Sequence, residues 1–138
     1  MEKHKLILES RRSEVQRFEQ LLESVNKEFS LTAERFINLQ IASSEAIVNA
    51  IVHGNKEDPR KKVFTEISYN SLAIVITIQD EGGGFDLSKL PDPTAEENLF
   101  KENGRGIFII RSLVDEFDCT SSSTGTRFSL KMNKEKAP

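Results

Sequence analysis

A chain of 138 residues, 37% hydrophobic and 30% charged, has the length of one domain and enough apolar material for one core. Its formal net charge is −3 with no basic block, which argues against a non-specific nucleic-acid surface, and its longest apolar stretch is far too short to span a bilayer. One cysteine, Cys119, and two histidines, His4 and His53, exclude a disulfide framework, a cysteine-based zinc site and most histidine-centred metal sites. With no secretory pattern at the N-terminus, the expected setting is the reducing cytoplasm.

Residues 4–10 are a short apolar run that predicts a first strand. Helical periodicity then starts at Ser13, a plausible N-cap, and carries Val15, Phe18, Leu22, Val25 and Phe29 at steps of three and four. Residues 30–32 break it. Thr32 caps a second predicted helix, with Arg35 where a capping box would have Glu, and this helix ends near His53 before Gly54-Asn55. Ile37, Ile41, Val48, Ile51 and Val52 share one arc of it and are the expected core stripe.

Residues 63–69 alternate and predict a strand, Asn70-Ser71 turns the chain, and residues 72–78 predict the next strand. Leu72, Ile74, Ile76 and Ile78 form its expected apolar face. Residues 80–103 hold Gly82, Gly83, Gly84, Pro91 and Pro93 with little periodicity, a long loop of the kind that is usually functional. A helix resumes at Gly104 with Ile107, Ile110, Val114 and Phe117 as its stripe. Two strands close the chain: residues 117–122, then an alternation of Thr126, Phe128, Leu130 and Met132 with polar residues, before a frayed polar tail. There is no internal repeat. The order predicts an α+β fold, with helices covering one face of a mixed, mainly antiparallel sheet.

Three polar groupings carry possible chemistry. Glu45, Asn49 and His53 fall at successive i, i+4 positions at the edge of the apolar arc, beside Ala42 and Ala46. A carboxylate there could take a proton or orient a hydroxyl, and an amide oxygen suits Mg²⁺; a solvated helix edge is the plain alternative. Asp80 has the parity of Ile76 and Ile78, so it points to the buried side, where a carboxylate is costly without donors. A ligand amino group or a water could donate; the alternative is a glycine turn, Gly82–Gly84, that Asp80 caps. Asn103-Gly104-Arg105-Gly106 precedes a helix, whose N–H groups and dipole suit phosphate, though neither GxxxxGK[ST] nor GxGxxG is present. An ordinary loop-to-helix turn would look the same. Thr124-Gly125-Thr126 reads most simply as a hairpin turn.

The combination is more specific than its parts. Glu-x-x-x-Asn on a helix, Asp-x-Gly-x-Gly after a strand, Gly-x-Gly into a helix and Gly-Thr before the last strand, in this order, resemble the GHKL (Bergerat) ATP-binding fold. The stretches SEAIVNAIVHGN, DEGGGFD and GRGIFIIRSLVDE resemble most the anti-sigma factor serine/threonine kinases of the RsbW and SpoIIAB type, over residues 5–132.

That resemblance implies a two-layer α/β sandwich forming one ATPase domain over residues 1–138, with ATP or ADP and Mg²⁺ as cofactors. It implies Glu45 as catalytic base, Asn49 as Mg²⁺ ligand, and Asp80 as acceptor for the adenine amino group, with Gly82 and Gly84 at the base pocket. It implies an ATP lid over residues 86–103, phosphate contacts from Gly104, Arg105 and Gly106, Thr126 on the adenine side, and His53 as a phosphate-side contact or helix-end cation. The implied partners are an alternative sigma factor and an anti-anti-sigma protein phosphorylated on Ser or Thr, with a homodimer formed through the first strand and helix. His4, in a short strand, is poorly suited as a phosphoacceptor. A nucleotide-sensing binding module without chemistry and a GHKL ATPase acting on water are the alternative functions.

Overall fold

The computed structural model describes residues 2–83 and 102–135. In chain order these form β1 (Glu2–Glu9), a 3₁₀ turn (Arg12–Glu14), α1 (Val15–Phe29), α2 (Ala33–Val48) and a π-helical segment (Asn49–Gly54). β2 (Lys62–Tyr69), β3 (Ala73–Gln79), α3 (Glu102–Leu113), β4 (Glu116–Ser122) and β5 (Gly125–Asn133) follow. The strands make one five-stranded sheet in the order β1-β2-β3-β5-β4. Every pairing in it is antiparallel, so the parallel component of the expected mixed sheet is not found among the described residues.

Register stacks the core in rows across the sheet. Leu6, Thr65, Ile78, Phe128 and Cys119 are successive cross-strand partners, and His4, Ile67, Ile76, Leu130 and Phe117 form the next row. Ile67, Ile74, Ile76, Ile78 and Leu130 are fully buried. The helices lie over this face. Leu72, expected to extend it, is 74% exposed because it falls in the β2–β3 turn, where Asn70 Oδ1 accepts from the N–H groups of Leu72 and Ala73.

Phe18, Leu22, Val25 and Phe29 bury one stripe of α1, as their spacing predicts. Ser13 does not cap it. The 3₁₀ turn intervenes, and the buried Glu14 carboxylate instead accepts from Glu9 N–H at 2.9 Å and pairs with Arg17 at 2.9 Å. Ser30, in the left-handed region at φ 63°, ends the helix, and Asn26 Oδ1 accepts from Leu31 N–H.

Thr32 caps α2 by accepting from Arg35 N–H. Arg35 itself reaches across the fold: its guanidinium donates to Asn133 O and pairs with Asp115, which also accepts from Asn133 N–H. The face of α2 turned to the core is Leu39, Ala42, Ser43, Ala46 and Ile47. Ile37 and Ile41, expected in the core, are instead exposed. The helix is apolar on two sides, and its smaller side chains let it sit close to the sheet while the isoleucines point away.

Candidate functional site

The end of the π-helical segment, the turn after β3 and the start of β5 meet at Asp80. Asp80 is 2% exposed. Its N–H donates to Thr126 O at 3.0 Å, and its Oδ1 accepts from the N–H groups of Thr126 and Gly82, each at 3.0 Å. Burial pushes this carboxyl above the usual aspartate range, against the two N–H bonds and the Lys61 charge that pull it down. Oδ2 has no hydrogen-bond donor among the described residues. Among the described residues, then, one oxygen of this buried carboxylate is satisfied and the other has no donor.

Glycines let the backbone pack closely around it. A Cβ on Gly54 would stand 2.0 Å from Asp80 Oδ2, and one on Gly82 would stand 2.0 Å from Gly54 O. Gly125, at φ 154°, has the Asp80 carbonyl against it, 2.2 Å from where a Cβ would lie. Asn55, 1% exposed, locks the neighbourhood: it donates to Ser10 Oγ at 3.0 Å and Lys62 O at 2.9 Å, and accepts from Glu81 N–H at 2.8 Å.

The second half of the site lies one π-helical segment away. Asn49 begins that segment, is 8% exposed, and donates from Nδ2 to Glu45 O at 3.0 Å. Its amide oxygen makes no bond among the described residues. Gly106 of α3 is packed directly against it: a Cβ there would stand 2.8 Å from Asn49 Nδ2 and 3.5 Å from Glu45 Oε2. Gly106 thus lets α3 press onto the Glu45–Asn49 pair.

The helical period changes between Asn49 and His53. Asn55 N–H donates to Ala50 O at 2.8 Å, an i→i+5 bond. Four residues along this wider turn rotate less than in an α-helix, so His53 does not continue the i, i+4 line of Glu45 and Asn49. The wider turn carries the chain to Gly54 at the Asp80 carboxylate. Short π segments of this kind occur frequently at functional sites.

The whole-chain comparison decides the family. The model of the histidine kinase-like ATPase domain matches residues 8–132. The chain belongs to the histidine kinase-like ATPase family. An ATPase-domain family implies ATP or ADP binding, and the Asp80 Oδ2 and Asn49 Oδ1 atoms, neither of them bonded among the described residues, fit a nucleotide. Among curated proteins, the chain is 30% identical over 112 residues to the anti-sigma F factor of Bacillus subtilis, covering 77% of this chain and 76% of that protein. It is 32% identical over 104 residues to the anti-sigma F factor of Clostridium perfringens, covering 72% and 74%. The fold matches the structure of the RsbU and RsbW domains of a Mycobacterium tuberculosis protein with TM-score 0.70 at 15% identity. That match covers 96% of this chain and about a third (32%) of the other.

Within this ATPase fold, Glu45 and Asn49 meet Gly106, and Asp80 meets Gly82 and Thr126, as two clusters joined by the π segment. Gly104 and Arg105 lie in the first turn of α3, which starts at Glu102 rather than after the glycines as expected. Gly84 lies outside the described residues, as does the expected lid apart from residues 102 and 103, which belong to α3. Thr126 Oγ1 bonds Ser121 Oγ at 2.9 Å, while its backbone, not its hydroxyl, serves Asp80. His4 stacks on Tyr69, with ring centroids 6.1 Å apart.

Sequence reading missed Gly54, Gly125 and Asn55 as parts of the site. Gly54 and Asn55 look like a helix stop, and Gly125 looks like a hairpin glycine. Only the fold reveals that Gly54 and Gly125 pack against Asp80 and that Asn55 holds the neighbouring Glu81 N–H. Among the described residues no helix is long and apolar enough to cross a membrane, and no group of three His, Cys, Asp or Glu side chains forms a metal cluster. A single amide ligand, as expected of Asn49, lies below what such a cluster requires.

Proposed function

We propose that this ATPase-family chain is a cytoplasmic protein serine/threonine kinase and anti-sigma factor, which binds an alternative sigma factor and phosphorylates an anti-anti-sigma protein. The observation that carries the reading is the pairing of two clusters in one site, Asp80 with a spare acceptor oxygen and Glu45–Asn49 under Gly106, in a chain with anti-sigma F relatives. Asp80 Oδ2 accepts from the adenine amino group, beside the closely packed Gly54 and Gly82. Asn49 Oδ1 would hold Mg²⁺, which would supply charge neutralisation to the phosphates. The start of α3, which holds Gly104, Arg105 and Gly106, would serve the phosphates with its backbone N–H groups.

Glu45 is half-buried and one helical turn from Asn49. It takes the proton of an acceptor hydroxyl as that oxygen bonds to the γ-phosphorus, the bond to the β-phosphate oxygen breaks, and ADP leaves. Phosphoryl transfer depends chiefly on positioning and charge stabilisation, which these groups can supply. A homodimer involving β1 and α1 belongs to the same reading; β1 presents Ile7, 56% exposed, beside its cross-strand partner Phe64 on the uncovered sheet face.

The test is transfer from γ-labelled ATP, with Mg²⁺, to proteins of the native host. The reading expects one labelled protein whose phosphate is alkali-labile and acid-stable, no label with Glu45→Ala, and unchanged nucleotide affinity in that variant. Release of inorganic phosphate without a labelled protein supports the plain ATPase instead. An acid-labile product contradicts a hydroxyl acceptor.

A further inference from the structure

The outward side of α2 carries a feature that the nucleotide site does not use. Ile37 is 51% exposed and Ile41 45% exposed, while Val48 on the same side is partly buried. Isoleucine side chains left in water on a helix that already has a complete core face are a candidate contact surface. Glu45 lies on the edge of this stripe, at i+4 from Ile41 and i+8 from Ile37.

Carboxylates frame the stripe. Glu34, exposed, precedes Ile37 by less than one turn. Glu19 of α1 is held against α2 by accepting from Ser44 Oγ at 3.1 Å. With Glu45, they place three acidic side chains around two exposed isoleucines.

We propose that this stripe seats the acceptor segment of the phosphorylated protein: an extended stretch with aliphatic side chains about two and four residues from its hydroxyl, flanked by Lys or Arg. The proposal rests on the kinase reading above. Position selects this occupant. A hydroxyl that reaches Glu45 brings its own chain across the neighbouring outward turns of α2. Along the helix axis Ile41 lies about 6 Å and Ile37 about 12 Å from Glu45, at about 1.5 Å per residue. An extended segment advances about 3.3 Å per residue, so its side chains two and four residues away meet the two isoleucines. Charge selects the flanks, since the Glu19–Glu34–Glu45 frame favours basic side chains and opposes acidic ones.

The experiment uses the full chain with Mg²⁺ and γ-labelled ATP on synthetic peptides that hold a central serine and Lys/Arg flanks. Leu or Asp is placed two or four residues from the serine, on either side. The wild type is expected to label the Leu peptides at least about tenfold faster than the Asp peptides, the discrimination typical of a small apolar contact. The double variant Ile37→Asp/Ile41→Asp is expected to lose that preference at unchanged nucleotide affinity, and Ile41→Lys to favour Asp at the nearer position. Equal labelling of all peptides by the wild type, or an unaltered preference in the variants, overturns the stripe while leaving the kinase reading intact. Loss of nucleotide affinity in the variants overturns it too, because the isoleucines would then serve the nucleotide site. No labelling of any peptide by a wild type that binds ATP sinks transfer to a hydroxyl-bearing segment, and the stripe with it.

Discussion

Asp80 and Thr126 are tied in both directions: the Asp80 N–H donates to the Thr126 carbonyl, and the Thr126 N–H donates to Asp80 Oδ1, both at 3.0 Å. The first bond extends the β3–β5 ladder by one step, and the second fixes Oδ1, while Oδ2 has no donor among the described residues. A buried carboxylate held in this way is an expense to the fold that a ligand can offset.

Asp80→Asn separates the two roles. The amide oxygen can keep both N–H bonds, while the new NH₂ replaces the spare acceptor. Because burial raises the folded-state pKa of Asp80, the folded chain binds more protons than the unfolded one between about pH 4 and that raised value. Stability therefore falls as pH rises through this window and stays reduced above it. Thermal melts at pH 7 should show the variant at least as stable as wild type, with nucleotide affinity at least about tenfold lower.

Glu14 has the opposite sign. Its hydrogen bond from Glu9 N–H, and then its pairing with Arg17, hold its carboxyl below the usual glutamate range against the effect of burial. The stability it contributes is present above about pH 4.5 and is lost as pH falls through its folded-state value. Denaturant titrations should show Glu14→Gln less stable than wild type at pH 7 by about 1–2 kcal/mol, with the gap closing at pH 3.

Gly106→Ala puts a Cβ 2.8 Å from Asn49 Nδ2. Either Asn49 turns or α3 lifts. Nucleotide affinity measured with Mg²⁺ should drop by about tenfold or more, and affinity in EDTA should change much less, because Asp80 is untouched. An equal drop in both conditions would argue against a metal role for Asn49.

Asn55→Ala leaves the Glu81 N–H without its acceptor and Lys62 O and Ser10 Oγ without their donor. A cost of about 2–3 kcal/mol is expected from the denaturation midpoint, together with weaker nucleotide binding. The thiol of Cys119, pushed up to about 11 chiefly by burial, should react with a thiol reagent at pH 8 far more slowly in the folded chain than after unfolding.

Much of this was legible in the residues. The alternation in β2, β3 and β5 reports directly which side faces the core, since a strand has one simple period. The parity of Asp80 with Ile76 and Ile78 was enough to predict its burial. Helix α2 misled, because it has apolar residues on two sides and periodicity alone cannot say which side meets the sheet. Ala42, Ala46 and Ser43 carry little hydrophobic signal, yet small size is what lets the helix approach. The π segment was also hidden: nothing in NAIVHG distinguishes an i→i+5 turn from a normal one. Gly54 and Gly125 became site residues only through tertiary contacts with Asp80, which is distant from both in sequence.

The most direct test is a calorimetric comparison of ATP with inosine triphosphate, which lacks the amino group that Asp80 Oδ2 is assigned to bind. Wild type should prefer ATP by at least about tenfold, and Asp80→Asn should abolish or invert that preference, since its NH₂ donates to the inosine carbonyl. Equal affinity of the wild type for both nucleotides, or an ATP preference that survives Asp80→Asn, would contradict the assignment of Asp80 to the base.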